Sequence, residues 1–385
     1  MVVKVSKPEL NLREKISELD KPSGVAGEAM LRAETPQEQF NLIGAGRRNM
    51  IINGGMQVDQ RNGGASINIA GAAYYIVDRM ASFKGSASGS ITGQQSTLGN
   101  LKSYKMTTST AVTSFSGTAR VHALIHVIES QNVFFANGKT VTLSFKVETN
   151  WSGNLSVRLG NHNWTRTYIV NAEVVAGVND VAISVPLESN TIVANDNSAG
   201  LVIEIGTNAQ GSLQTSTEGS WIAGDDRNLT SSTQWMLTAG TYINLTALQL
   251  EVGKVATPFE HRSYGEELAL CQRYCYVMGT PSVSTNDLFS VGTGNGTATA
   301  TTYHLHPVEM RARPTLAYSA LADFAVYNFG TSGQLGAPTA ISIITSIATK
   351  TWSYVDYARS GTTTGNAIMI RAANTSTKLI FSAEL

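Results

Sequence analysis

Val141-Thr-Leu-Ser-Phe-Lys-Val-Glu148 decides the fold class. Val141, Leu143, Phe145 and Val147 alternate with Thr142, Ser144, Lys146 and Glu148, the period of two shown by a strand with one buried face. Val181, Ile183 and Val185 repeat the pattern; Val121 to Val127 and Leu201 to Ile205 follow it less cleanly. Turn-forming clusters separate these runs: Asn53-Gly54-Gly55, Asn62-Gly63-Gly64, Asn137-Gly138 and Gly224-Asp225-Asp226. Short strands so spaced, with no long helix between them, argue for a sandwich or jelly roll over residues 49–262 and against a parallel α/β sheet.

Composition narrows the function classes. The 385 residues are 42% hydrophobic, enough for real cores, but only 15% charged, against ~25% in an ordinary globular chain. Lysine plus arginine (28) cancels aspartate plus glutamate (28), so no bulk charge draws the chain to nucleic acid or acidic lipid. No apolar run approaches the ~18–20 residues of a membrane span. The start, Met1-Val-Val-Lys-Val-Ser-Lys-Pro8, lacks the apolar stretch of a secretory signal. Neither nucleic acid nor membrane is an expected partner, and no cofactor is expected.

Helical grammar is concentrated in residues 1–48. Asn11 precedes Leu12, Ile16 and Leu19 on one helical face, with Glu14 completing a capping box. A second helix starts at Thr35-Pro36-Gln37-Glu38, carries Phe40 and Ile43, and ends at Gly44. Each is shorter than the ~12–15 residues of a helix stable alone. The segment therefore packs on its own domain or serves as an attachment and trimerising arm.

Beyond the β-domain, Ser263 and Glu266 cap a connecting helix, with the 263–279 segment bearing Leu268, Cys271 and Cys275 on one face. The two cysteines read as buried small hydrophobes rather than half of a metal or redox site. From 280 to 385 strands resume at 297–305, 315–318, 340–344, 352–357, 367–371 and 379–385, suiting a small C-terminal β-sandwich. Gly292-Thr-Gly-Asn-Gly296 and Ser360-Gly361-Thr-Thr-Thr-Gly365 read as hairpin or loop material. The expected architecture is mainly β: helical segment 1–48, jelly roll 49–262, helix 263–279, sandwich 280–385.

Motifs of catalysis are missing. The chain holds no G-x-S-x-G elbow, no phosphate-binding Gly-rich loop and no H-E-x-x-H, so no catalytic residue is expected. Glu204, Asp225 and Asp226 are the carboxylates a glycosidase would need, though acids on turns and strand edges are usually solvated. His122 and His126 share a strand parity. His304 and His306 stand on one side of a strand and are weak metal candidates, because three chains about an axis would offer six imidazoles. A place on a solvated or sheet-packing face just before Pro307 is the stronger reading for the pair.

Aromatic side chains point to sugars. Trp151 and Trp164, the latter beside Asn161-His162-Asn163, and Trp221 beside Gly224-Asp225-Asp226-Arg227-Asn228 are glycan-binding candidates. An indole face takes the C–H side of a pyranose while amides satisfy its hydroxyls. A core role is the competing reading for each tryptophan.

Four stretches carry a resemblance. NLREKISELDKPSGVAGEAMLRAETPQEQFNLIGAGRRN (11–49) resembles the N-terminal segment of tail-fibre-like proteins of marine bacteriophages, cyanophages especially. Ile51-Ile-Asn-Gly-Gly-Met56, with Tyr75-Ile-Val-Asp-Arg79, resembles the opening of their jelly-roll module, and LQLEVGKVATPFEHRSYGEELALCQRYC (248–275) its closing signature. Pro307-Val-Glu-Met-Arg-Ala-Arg-Pro-Thr315 and Phe381-Ser-Ala-Glu-Leu385 look like the small domain that follows. The resemblance implies a virion structural protein made in the host cytoplasm. It would be a homotrimeric tail fibre or fibre-like appendage, with a jelly roll similar to carbohydrate-binding modules and a host-surface glycan or receptor as ligand. Other tail or capsid proteins would be its partners. A capsid-bound head fibre or decoration protein is the alternative, and a glycan depolymerase a more distant one.

Overall fold

The computed structural model describes residues 48–71, 74–85, 87–113, 119–279, 284–331 and 333–385. The chain divides into two compact units, 1–48 and 49–385. All of the first but Arg48 lies outside the described residues, and with it the expected helices and Leu12, Ile16, Leu19, Phe40 and Ile43. The second unit is mainly β and holds two hydrophobic cores, one built from residues between Ile51 and Leu250 and one between Phe289 and Ala383.

Two antiparallel sheets enclose the first core. The six-stranded sheet runs Ile67–Asn68, Ser90–Leu98, Leu101–Thr110, Tyr242–Val252, Thr140–Thr149, Gly177–Pro186. The facing sheet runs Trp221–Ala223, Arg166–Val174, Gly153–Asn161, Ala199–Ile205, Arg120–Glu129, Met80–Lys84, Tyr74–Val77, with Asn208–Ala209 also paired to Arg120–Glu129. Between Ser90 and Val252 the chain passes repeatedly from one sheet to the other, the connectivity of a jelly roll. Val141, Leu143, Phe145 and Val147 all enter the core, as their alternation requires.

One strand breaks its own parity. In Arg120–Glu129 the apolar residues Val121 and Ala123, then Leu124 and Ile128, all join the core. Pairing with Met80–Lys84 shifts register over the same stretch, from Phe83 opposite His122 to Ala81 opposite Ile125. The extra residue is a β-bulge. It corrects the expectation that His122 and His126 share a face: His126 pairs with the core residue Ile203, whereas His122 points away from the core.

The opening and closing stretches of this lobe meet. Asn49 donates to the Leu248 carbonyl and accepts from the amides of Ile51 and Leu250. Asn53, in the left-handed region at φ 62°, donates to the carbonyls of Val58 and Asp78, and its own amide donates to Glu267. A Cβ on Gly54 would lie 2.0 Å from the Leu248 oxygen, so that close approach demands glycine.

The connecting helix is shorter than expected. Ser263 caps it by accepting from the Glu266 amide, but it spans Tyr264–Gln272 only. Cys275 begins a strand, Cys275–Gly279, that pairs with Lys378–Ser382. Both cysteines are free and buried. Lys378–Ser382 also pairs with Thr315–Tyr318. A seven-stranded sheet packs over this three-stranded one, in the order Gly333–Gly336, Phe324–Asn328, Ala367–Ala372, Leu288–Gly294, Thr299–Leu305, Trp352–Ala358, Ala340–Ile343. The expected hairpin forms at 292–296, between Leu288–Gly294 and Thr299–Leu305, with Gly292 and Gly294 inside its first strand. A Cβ there would sit 1.9 Å from the Thr301 oxygen and 2.1 Å from that of Thr363, so these glycines mark close backbone approach rather than a turn.

The two lobes are joined by polar side chains. Glu384 pairs with Arg61 at 2.9 Å and with Arg79. Arg273 pairs with Glu129 at 2.6 Å, and the Tyr274 hydroxyl donates to the same carboxylate. Arg311 donates to the carbonyls of Asn197, Ala383 and Glu384.

Candidate functional site

The outward face of the larger jelly-roll sheet carries a charged cluster. Arg158 lies on Gly153–Asn161 between the inward residues Val157 and Leu159, and its register partner Glu204 lies on Ala199–Ile205 between Ile203 and Ile205. Both therefore project away from the core. The segment after Ile205 folds back over them: the Asp226 carbonyl accepts from Arg158 Nε at 2.8 Å, and Arg227 donates to Glu204 at 2.6 Å. Gly160, two residues along on the same face, leaves room for the Arg158 guanidinium, which would crowd a Cβ there at 2.7 Å.

Glu204 is the hub. Its carboxylate lies 2.6 Å from Arg227, 3.3 Å from Arg158 and 3.3 Å from His122 Nδ1, all essentially buried. Burial alone would raise its pKa, but the charges of Arg158, His122 and Arg227 outweigh that and hold it well below the usual carboxylate range. Burial lowers His122, which accepts from Arg120 at Nε2 and so presents the Nδ1–H tautomer to Glu204 and Thr207. Asp225, partly exposed, bridges Arg227 at 2.6 Å and Arg158 at 3.4 Å.

Trp164 closes the cluster on the solvent side. Asn161 sets the turn that carries it, accepting from the amides of Thr165 and Arg166 and donating to the Thr165 hydroxyl. Trp164 sits at φ 58° and is 36% exposed. The Arg227 guanidinium lies 4.2 Å from its ring centre and that of Arg158 5.2 Å, and the His162 ring tilts against it at 6.3 Å, so the indole is braced by cations and an imidazole. The neighbouring His162 and Asn163 are exposed, while Asp225 is half-buried. The result is a ledge: a braced indole edged by amide, imidazole and carboxylate.

The other tryptophans sit elsewhere. Trp151 stacks on Trp235 with ring centres 5.9 Å apart, and its N–H donates to the Tyr242 carbonyl; it packs against the core. Trp221 also packs there, tilted on Tyr168, with its N–H bonded to the Pro186 carbonyl. The loop after Trp221 does reach a tryptophan, but the one it reaches is Trp164: the Gly224 amide donates to the Thr165 carbonyl. Asn161 is buried and serves the turn. His304 and His306 face inward onto Phe381, with Nε2 of each bonded to the hydroxyl of Thr302 or Ser353. That arrangement withdraws them from any site shared between chains. Among the described residues no group of three His, Cys, Asp or Glu is placed to hold a metal.

The sequence reading missed Arg158 and His122 as members of the cluster. An arginine at the wet position of an otherwise apolar strand was the available signal for the first; the bulge concealed the second. Two open concavities, of about 310 and 360 Å³, lie apart from the ledge, beside Phe259 and Tyr264 and beside Arg61 and Ser319 respectively.

No known protein family matches the chain, and no curated protein does. Among solved structures it is similar to the enzymatically active domain of tailspike protein 4 of bacteriophage CBA120, at 12% identity and TM-score 0.27, over 53% of this chain and 21% of that one. It is also similar to a family 4 carbohydrate-binding module, at 14% identity and TM-score 0.26, over 52% of this chain and 98% of that one. A family 11 carbohydrate-binding module from Clostridium thermocellum, in complex with a mixed-linked tetrasaccharide, matches at 8% identity and TM-score 0.26, over 49% and 98%. The chain thus spans about a fifth of the tailspike chain. Scores of this size do not establish a shared fold, and the sandwich rests on its own strand pairing.

Proposed function

We propose that this chain is a non-enzymatic glycan-binding protein that uses the Trp164 ledge to hold a hydroxyl-rich sugar. The braced indole is the observation that carries it. Arg227, Arg158 and the His162 ring brace Trp164, which keeps 36% of its surface exposed, and a rigid platform loses little freedom on binding. Asp225, His162 and Asn163 edge the ring with acceptors and donors for hydroxyls. Of the three acids a hydrolase could draw on, Glu204 and Asp225 are tied to guanidinium groups, which leaves Asp226, raised by burial, without a free second carboxylate to act with. Proton donation needs a carboxyl that keeps its proton, whereas Glu204 is held ionised.

In the biological setting that the sequence resemblance implies, this binding serves host-surface attachment by a trimeric tail fibre or fibre-like appendage of a bacteriophage. Location on the tail, rather than on the capsid as a head fibre, belongs to the same proposal.

The test is affinity electrophoresis of the full chain in gels containing host-surface polysaccharide. Trp164→Ala should weaken retardation at least tenfold with unchanged circular dichroism, and Trp164→Phe should restore part of it. Equal retardation of Trp164→Ala and the parent chain rejects the ledge. Release of reducing ends from the same polysaccharide rejects the non-enzymatic reading.

A further inference from the structure

The C-terminal lobe displays aromatic side chains of its own. Thr299–Leu305 and Trp352–Ala358 pair with Tyr303 opposite Tyr354, Leu305 opposite Trp352 and Thr301 opposite Asp356. The intervening Ala300, Val355 and Tyr357 fill the core. Strand alternation therefore turns Leu305, Tyr303 and Thr301, with Trp352, Tyr354 and Asp356, outward on one face. Tyr303 is 43% exposed and Leu305 65%. The Trp352 and Tyr354 rings meet edge to face, centres 4.9 Å apart and planes at 90°, while Tyr303 leans against both at 5.7 and 5.5 Å. Rings so disposed make a corner instead of a flat strip.

Polarity changes along this face in one step. One outward position beyond the aromatic pair, about 7 Å along the strands, Thr301 donates to Asp356 at 2.6 Å, and Ser342 stands beside Asp356 on the next strand. Only one oxygen of the Asp356 carboxylate takes that bond. Among the described residues, the Trp352 indole N–H and the Tyr303 and Tyr354 hydroxyls have no hydrogen-bond partner.

We infer that this corner is a second glycan-binding site, specific for a neutral pyranose. A pyranose is itself apolar on its C–H face and polar at its edge, which matches an aromatic corner one step from a hydroxyl and carboxylate row. A protein partner would bury the unsatisfied Asp356 oxygen at a cost, and a uronate or sulfated sugar would meet it as a like charge. The site is separate from the Trp164 ledge and stands or falls without it. Two sites on one chain would also raise avidity on a repetitive polysaccharide.

The experiment uses the full chain carrying Trp164→Ala, so that the ledge is silent. It is titrated by calorimetry with cellohexaose, xylohexaose and mannohexaose, and with oligoguluronate as the acidic probe. Saturable binding of at least one neutral probe is expected, lost tenfold or more in Trp352→Ala and in Tyr303→Ala, with oligoguluronate binding weaker. Absence of binding by all three neutral probes overturns the inference, as does binding that survives both substitutions. Preference for oligoguluronate overturns the neutral specificity. Sedimentation of the same proteins supplies the remaining outcome: self-association abolished by Trp352→Ala would make the corner a contact between copies and reject the sugar site. Circular dichroism and Phe substitutions at both positions separate loss of the site from loss of the fold.

Discussion

Arg227 stands 4.2 Å from the ring centre of Trp164 because Glu204 holds it there, 2.6 Å from the guanidinium on the other side. A carboxylate buried under a sheet face thus determines the orientation of an indole at the surface. Binding and stability are linked through this one contact, and the two can be measured apart.

Glu204→Gln keeps the shape of the hub and removes its charge. Arg158 and Arg227 would then share Asp225 alone while remaining buried. Breaking one side of a buried ion pair costs roughly 3–5 kcal/mol. The expected outcome is that loss in urea unfolding of the jelly-roll lobe, together with a larger fluorescence red shift at Trp164. A variant as stable as the parent would show that the hub contributes nothing net.

Acid should loosen the C-terminal lobe through two buried imidazoles. His304 and His306 are each lowered to about 4 from 6.5, first by burial and, for His304, also by the neighbouring His306. The folded lobe keeps both neutral while the unfolded chain protonates below 6.5, so stability is full above that value and falls as pH drops toward 4. Calorimetric scans from pH 7.5 to 4.5 should show the decline, and His304→Gln with His306→Gln should flatten it.

Gly292→Ala places a methyl 1.9 Å from the Thr301 carbonyl oxygen in a paired strand. Overpacking of this kind costs ~1–3 kcal/mol or more. The melting temperature of the C-terminal lobe should fall while the Trp164 ledge still binds. Gly296→Ala, where no atom lies within 4 Å of the added carbon but φ is +77°, should cost less.

Glu384→Gln tests the junction of the lobes. Glu384 is the shared partner of Arg61 and Arg79, and Arg79 is buried against the Tyr274 ring at 3.7 Å. With that charge gone, the two lobes should melt in two separable transitions. A single unchanged transition would mean that Arg273, paired with Glu129, and Arg311 suffice.

Much of this architecture was legible in the residues because burial imposes periodicity. Val141 to Val147 could alternate only as a half-buried strand, and Ser263 with Glu266 could only mark a helix start. The helix end was not legible: Arg273, Tyr274 and Cys275 continue a helical pattern, but pairing with Lys378–Ser382 claims Cys275 for a sheet. Whether Gly292 and Gly294 lay in the strands or the turn of their hairpin was not legible, because a glycine required by close packing is the same letter as one required by a turn. At the ledge, the tryptophan and its flanking amides could be picked out locally. Its brace could not, since Arg158, Glu204 and Arg227 come from three distant segments, and Trp164 could not be told from Trp151 or Trp221 without knowing which indole faces were already covered.

The extra residue in Arg120–Glu129 makes that strand sensitive to where a deletion falls. Removing the extra residue itself, at Ala123, would only restore unbroken alternation and keep His122 outward and His126 inward, whereas removing a residue elsewhere in the strand would put part of it on the wrong face. A deep mutational scan that includes length changes should therefore show the neighbourhood of Ala123 as the place in this strand where a deletion is best tolerated.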